Sequence, residues 1–174
     1  MAGPDFVSNP AKTGTIDSRR PKMTAKTKTP TNVKQAVPFF GVSNMEASLR
    51  FYVDGLGFKL TKKWVPDGDG KIRWCWLEMG EAALMLQEFR TEGHGSSKPS
   101  GKLGEGVNVC FQCRDALAIY HEALSRGIRV SRNPFVGNAL WVVPFSDPDG
   151  YRFEFASPTD VPEETEYGNV PAAR

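Results

Sequence analysis

Histidine and cysteine, which supply many metal ligands and nucleophiles in enzymes, are scarce in this chain of 174 residues, which has two histidines and three cysteines. No apolar run approaches the roughly 20 residues that a membrane-spanning helix needs. The first 30 residues contain no apolar segment of the kind found in export signals. Because an odd number of cysteines without an export signal fits a reducing compartment, we expect a cytoplasmic protein with no membrane partner.

The few sulfur and imidazole groups are poorly placed for chemistry. Cys110 and Cys113 have C-x-x-C spacing but lie within a predicted strand, so their side chains should point to opposite faces. Without a histidine beside it in the sequence, Cys110 is expected to fill space in the core rather than to act as a nucleophile. His94 falls in a predicted linker and His121 on a helix surface, so neither is placed for acid–base catalysis.

Positive charge is concentrated at the start of the chain. Residues 1–34 hold seven Lys or Arg and two Asp, whereas the remainder holds 15 basic and 18 acidic residues. The segment 1–33 is rich in Thr, Lys, Pro and Ser and has little to bury, which predicts a disordered basic tail. The remainder has no basic stripe, so nucleic acid is not an expected partner.

Two segments of the chain share one pattern at a spacing of about 70 residues. Residues 39–60 and 111–130 each contain an apolar strand, a polar turn, a helix, a glycine and a second apolar strand. Trp74 and Trp141 keep nearly the same spacing. A repeated unit predicts a pseudo-twofold arrangement, with a cleft for a ligand where the two copies meet.

Apolar periodicity predicts a βαβββ order in each copy. Asn44 and Asp115 are suited to cap the two helices. The predicted strands cover residues 35–42, 58–65, 72–79, 82–89, 107–113, 128–135, 140–145 and 151–156. The predicted organisation is a first module over 34–90, a flexible linker over 91–105, a second module over 106–158 and a tail over 159–174.

Two motifs carry a resemblance to a known family. S-x-x-F-Y-x-x-x-L-G-F covers Ser48 to Phe58, and D-P-D-G-Y-x-x-E-F covers Asp147 to Phe155. With the paired modules, they resemble the vicinal oxygen chelate superfamily, which includes glyoxalase I, extradiol dioxygenases, fosfomycin-resistance enzymes and bleomycin-resistance proteins. The resemblance extends over residues 35–158 and implies an α+β fold with a curved, mostly antiparallel sheet around a cleft.

The resemblance also indicates where a metal would bind in the chelating members. The matching positions here are Val37, Met85, Asn108 and Glu154. Only Asn108 and Glu154 carry oxygen donors, which is too few for a transition metal, so no metal or other cofactor is expected. The chain is therefore most similar to the bleomycin-resistance branch, whose opening pattern is matched from Ala36 to Met45.

That branch implies a homodimer that binds a small aromatic or cationic molecule in a groove and does no chemistry on it. Aromatic rings suit such a ligand because they stack on flat molecules and attract cations. Glu154 could meet a positive group of the ligand, or it could form a structural hydrogen bond, for example with Asn108. The predicted ligand-binding residues are Phe39, Trp74, Trp76, Asn108, Phe135, Trp141 and Glu154.

Three alternatives remain open from the sequence. A divalent-metal lyase, isomerase or dioxygenase of the same superfamily would need a bound metal. A metal-free enzyme would use Glu154 as its catalytic base. An interaction module without a small ligand would have an empty or filled groove. The residue types favour the binding protein over an enzyme.

Overall fold

The computed structural model of the protein describes residues 32–90 and 97–168. Most of the predicted basic tail, the first six residues of the predicted linker with His94, and the last six residues lie outside the described residues. All the elements that follow belong to one unit, Gln35–Arg174.

The first module has the predicted βαβββ order. Its helical segment begins as an α-helix and continues as a wider π-helix. The four strands form one sheet in the order β1-β4-β3-β2, in which β1 and β4 are parallel and the other pairs are antiparallel. The elements are β1 (Phe39–Val42), α1 (Met45–Leu49) with the π-helical stretch Arg50–Gly55, β2 (Lys59–Trp64), β3 (Trp74–Met79) and β4 (Ala82–Glu88).

The second module repeats this plan. Its sheet has the order β5-β8-β7-β6, again with the first and last strands of the module parallel. The identical strand order confirms the α+β class and the tandem βαβββ repeat. The elements are β5 (Asn108–Gln112), α2 (Ala116–Ser125), β6 (Phe135–Gly137), β7 (Leu140–Ser146) and β8 (Arg152–Pro158).

Both helices begin where the sequence predicts. The side chain of Asn44 accepts a hydrogen bond from the Ala47 amide at 3.0 Å, and Asp115 accepts one from the Ala118 amide at 2.9 Å. These bonds satisfy amides that have no partner inside the helix. No helix among the described residues is long and apolar enough to cross a membrane.

The strand predicted over residues 128–135 is wrong for most of its length, because only Phe135–Gly137 forms a strand there. Pro134 has no amide hydrogen for a ladder bond. Upstream, the backbone amide and the hydroxyl of Ser131 both donate to the carbonyl oxygen of Pro144 on β7. This contact attaches the segment to β7 at one residue, without a continuous strand pairing.

One hydrophobic core joins the two modules. The inner face of each sheet and both helical segments contribute to it. Phe153 of β8 lies at its centre, with its ring centroid about 6 Å from those of five other aromatic residues. These neighbours are Phe51, Tyr52, Phe111, Phe145 and Phe155.

The predicted turn after β7 ties the modules together by polar contacts. The buried Tyr52 hydroxyl donates to the Asp147 carboxylate at 3.0 Å, and Asp147 also accepts from the amides of Asp149 and Tyr151. The Asp149 carboxylate accepts from the Ser43 amide of the first module. Burial raises the pKa of Asp147 above its ordinary value, although these hydrogen bonds oppose the rise.

This buried carboxyl gives a prediction for the pH dependence of stability. A carboxyl whose pKa is raised by folding favours the folded state when protonated, so its contribution is complete below pH ~4 and is lost as pH rises through the folded-state pKa. Asp147→Asn removes this titration and keeps an oxygen that can accept from the backbone amides. In urea titrations, we expect the stability of the natural protein relative to Asp147→Asn to fall as pH rises. A difference that does not change with pH would contradict the assignment.

Candidate ligand-binding site

The outer face of the first sheet carries a group of large apolar side chains. Strand register pairs Trp76 and Phe39 with Met85, and Trp64 with Trp74, so all five lie on the same face. Phe39 is 53% exposed and Trp64 45% exposed, while the other three are partly buried. We call the surface formed by Phe39, Trp64, Trp74, Trp76 and Met85 the tryptophan face.

Polar and charged groups border this surface. The indole nitrogen of Trp76 donates to the Glu78 carboxylate at 2.8 Å, which fixes the orientation of the ring. The Lys62 ammonium lies 5.1 Å from the centre of the Trp76 ring, and the Arg90 guanidinium lies 5.9 Å from that of Trp64. Both distances are typical of cation–π contacts. The tryptophan face therefore combines flat aromatic groups with positive charge at its margin.

Trp64 belongs to this surface but is absent from the predicted set. The pairing of β2 with β3 shifts between Leu60 and Lys62, so the regular alternation of side chains is broken at Thr61. Without this bulge, Trp64 would share the inner face with Leu60. No pattern in the sequence indicates the bulge. The alternation within Trp74-Cys75-Trp76, in contrast, correctly predicts that the two tryptophans share a face.

The predicted polar residues lie on the outer face of the other sheet. The Asn108 side-chain amide donates to the Glu154 carboxylate at 2.7 Å, so the structural hydrogen bond considered for this pair is present. It joins β5 to β8 within one sheet and does not cross between modules. Phe135 shares this face, with the Arg132 guanidinium 4.2 Å from its ring centre.

Cys110 lies opposite Glu154 in the strand register and is exposed on this same face. The expectation that it fills the core is therefore wrong. Cys113 lies beyond the strand end with its thiol directed to the Ala156 carbonyl oxygen, which agrees with the predicted separation of the two thiols. Partial burial, together with the Glu154 carboxylate, raises the pKa of the Cys110 thiol. Cys110 is therefore poorly suited to act as a thiolate nucleophile.

Trp141 does not belong with Trp74 and Trp76. It is only 7% exposed and packs in the core, with its ring 6.1 Å from that of Tyr167. Strand pairing shows which residues of the two modules are equivalent. Pro144 on β7 pairs with Glu154 on β8, and it is therefore the counterpart of Trp76 on β3, which pairs with Met85 on β4. The repeat places Trp141 one residue out of phase with the outer face, so the predicted pairing of the tryptophans is wrong.

The residues at the family's metal positions do not fit a metal. Val37 precedes β1 and Met85 lies on the tryptophan face, and neither has an oxygen or nitrogen donor in its side chain. Asn108 and Glu154 bind each other. Within residues 32–90 and 97–168, no group of three or more His, Cys, Asp or Glu is placed to hold a metal ion. His121, the histidine that the structure describes, pairs with the Tyr167 hydroxyl at 2.9 Å.

A groove of about 690 Å³ lies where the two modules meet, as the repeat predicts. Phe39 and Val37 contribute to it from the first module, and Val107, Val109 and Cys110 from the second. Its volume suits a small organic ligand. Phe39 is the member of the predicted ligand-binding set that lines it. The predicted set is thus divided between the tryptophan face, this groove, the outer face of the second sheet and the core.

Comparison with known proteins agrees with this architecture. The sequence model of the Glyoxalase/Bleomycin resistance protein/Dioxygenase superfamily matches residues 34–155. The chain belongs to this superfamily. The match covers both modules of the glyoxalase-type fold and ends one residue after Glu154. No curated protein matches the chain.

Solved structures of glyoxalase-type proteins have the same fold at low sequence identity. TnmS3, an antibiotic binding protein from Streptomyces sp. CB03234, is 22% identical with a TM-score of 0.53, over 75% of this chain and 100% of that one. A glyoxalase/bleomycin resistance protein from the same organism is 22% identical with a TM-score of 0.51, over 70% and 98%. An integron cassette protein from the mobile metagenome of V. cholerae is 18% identical with a TM-score of 0.53, over 74% and 98%.

Proposed function

We propose that this protein binds a planar aromatic small molecule on the tryptophan face and sequesters it without chemical change. The observation that carries the proposal is the clustering of Trp64, Trp74 and Trp76 on one open sheet face. Contiguous apolar surface of this kind is costly to leave in water and marks binding sites in soluble proteins. The antibiotic-binding relative has the same fold, which makes a ligand of drug-like size a reasonable candidate.

Stacking is the interaction that this surface offers best. Flat rings gain both apolar burial and favourable ring–ring contact when they lie on indole groups. The hydrogen bond from Trp76 to Glu78 holds one indole in place, so less conformational freedom is lost on binding. Met85 lies between Phe39 and Trp76 in the register and can adapt its shape to different ligands.

Sequestration is proposed because the groups that could do chemistry are engaged elsewhere. Glu154, the candidate base, lies on the second sheet and already accepts a hydrogen bond from Asn108. The Glu78 carboxylate, which borders the tryptophan face, accepts from an indole nitrogen. The thiol opposite Glu154, Cys110, has a raised pKa and so is a poor thiolate nucleophile.

We further propose that two copies of the chain form a homodimer, so that the outer face of a second copy completes the site. The tryptophan face is open in the single chain, and a ligand lying on it would be covered on one side only. The outer face of the second sheet offers the ring of Phe135 and the side-chain amide of Asn108, which already binds Glu154. Sedimentation velocity with and without ligand tests this part independently of the binding site.

Substitution of Trp76 tests the proposed site. In calorimetric titration with the neutral probe 2-naphthalenemethanol, we expect Trp76→Ala to weaken binding about tenfold, since stacking on one aromatic side chain contributes roughly 1–3 kcal/mol. Leu124→Ala is the control, because Leu124 is an exposed apolar residue on α2. It should leave affinity unchanged. Equal affinity of Trp76→Ala and the natural protein would remove the tryptophan face as the binding site.

A further inference from the structure

We infer that the ligand of the tryptophan face is an aromatic acid, held by its ring on the indoles and by its anionic group on Lys62 and Arg90. This inference rests on the proposed function and adds the charge of the ligand to it. It departs from the expectation of a cationic molecule.

Three basic side chains border the tryptophan face. Lys62 and Arg90 lie over Trp76 and Trp64, at 5.1 and 5.9 Å from the ring centres. Lys59 is the register partner of Glu78, so it stands on the same side of the sheet. Two of the three cations therefore lie over the indole rings, and the third stands on the same side of the sheet.

Negative charge on this side is already engaged. The Glu78 carboxylate accepts a hydrogen bond from the Trp76 indole nitrogen at 2.8 Å. In the loop beyond the sheet, Asp69 binds Arg73 by two hydrogen bonds, and that guanidinium also pairs with Glu88. The hydrogen bond from Arg73 lowers the pKa of Asp69, and the charge of Arg90 adds to this effect. Asp69 is therefore bound mainly to Arg73 and not to Arg90.

The balance of charge favours an anion over a cation. A cationic ligand would approach Lys59, Lys62 and Arg90, whereas the neighbouring carboxylates of Glu78 and Asp69 already accept hydrogen bonds. An acidic substituent on a ring stacked beside Trp76 would instead meet ammonium and guanidinium groups that the indoles hold in place. Charge-assisted hydrogen bonds of this type are stronger than neutral ones, and arginine suits carboxylates especially well.

The charge of the ligand can be isolated with three probes that share one ring system. These are 2-naphthoate, neutral 2-naphthalenemethanol and the cationic 2-naphthylmethylammonium, each titrated calorimetrically into the full chain at low ionic strength. We expect naphthoate to bind roughly fivefold more tightly than the alcohol and the ammonium compound to bind more weakly than both. Added salt should reduce the advantage of naphthoate, because the cations are close to solvent.

Two lysines of the same strand provide a matched pair of variants. Lys62→Gln should weaken naphthoate binding about threefold to fivefold and change alcohol binding by less than about twofold. Lys63→Gln removes the same charge from the adjacent position, but Lys63 is the register partner of the inward-facing Cys75 and so points away from the tryptophan face. Lys63→Gln should leave the binding of all three probes unchanged.

The possible results distinguish failure of the aromatic-acid inference from failure of the proposed function. Equal affinity for naphthoate and the alcohol, or tighter binding of the ammonium compound, would overturn the aromatic-acid inference and leave the proposed function standing. An equal effect of Lys62→Gln and Lys63→Gln would also overturn it, because attraction would then depend on net charge alone. Binding of none of the three probes would overturn both, and would favour a second protein chain as the occupant of the tryptophan face.

Discussion

Replacing Phe153 with alanine is expected to lower the free energy of unfolding by about 3–5 kcal/mol, the largest effect of any substitution considered for this protein. Phe153 is 1% exposed and its ring touches both modules, through Phe51 and Tyr52 on one side and Phe111 on the other. Its removal leaves a cavity bordered by rigid rings, which cannot collapse to fill it. The two modules therefore lose a shared contact as well as buried area.

Chemical denaturation followed by tryptophan fluorescence measures this effect. Phe39→Ala is the matched control, because it deletes the same side chain from an exposed position on the tryptophan face. Its cost should stay below about 1 kcal/mol, as for surface substitutions generally. A loss below about 2 kcal/mol for Phe153→Ala would mean that the core relaxes around the deletion and that Phe153 does not hold the modules together.

Gly55→Ala is expected to destabilise the protein by about 1–3 kcal/mol, although alanine normally favours a helix more than glycine does. Gly55 ends the π-helical stretch and is buried against the second module. A Cβ atom at this position would lie 2.4 Å from Cγ1 and 2.5 Å from Cδ1 of Ile128. The methyl group would therefore force the two modules apart or move Ile128 from its preferred conformation.

A double-mutant cycle with Ile128→Ala tests this steric explanation. Ile128→Ala removes Cγ1 and Cδ1, the two atoms that the new methyl group would meet. The cost of Gly55→Ala should then fall by more than about 0.5 kcal/mol, because the clash no longer occurs. Additive effects of the two substitutions would show that the cost of Gly55→Ala arises within the helix itself.

Much of the fold follows from local signals in the sequence. The repeat predicts two identical modules, and the side chains of Asn44 and Asp115 cap the helices as expected. The shared positions of Trp74 and Trp76 follow from strand alternation alone. These features depend on short-range chemistry that a single sequence expresses directly.

The features that were not predicted depend on register or on distant contacts. The bulge at Thr61 brings Trp64 to the outer face, and it is a property of the pairing between β2 and β3. The spacing between the repeats predicts that Trp141 is the counterpart of Trp74, but Trp141 lies in the core. A difference of one residue moves a strand side chain to the other face of the sheet. The widening of the first helix leaves buried Gly55 against Ile128 of the other module, which the local sequence does not reveal.

The separation of the predicted ligand-binding residues between the two sheets also depends on register and distant contacts. Residue types predict an aromatic surface, and three tryptophans do share one sheet face, but the assignment of all the predicted residues to one groove required knowledge of how the two sheets are arranged. Asn108 and Glu154 bind each other on the second sheet, apart from the tryptophans of the first. The sequence therefore predicts the shared face of Trp74 and Trp76 but not the division of the other predicted residues between the two sheets.

The outer strands of the two sheets limit how copies of this protein can associate. The backbone of β6 already bonds to residues 164–166 of the C-terminal segment, so its free edge is covered. At the other end, β2 carries Lys59, Lys62 and Lys63, and a neighbouring copy of the same strand would bring like charges together. Lysines on an edge strand discourage the addition of further strands and the aggregation that follows from it. Neither of these two edges therefore offers a ready template for a strand of a second copy.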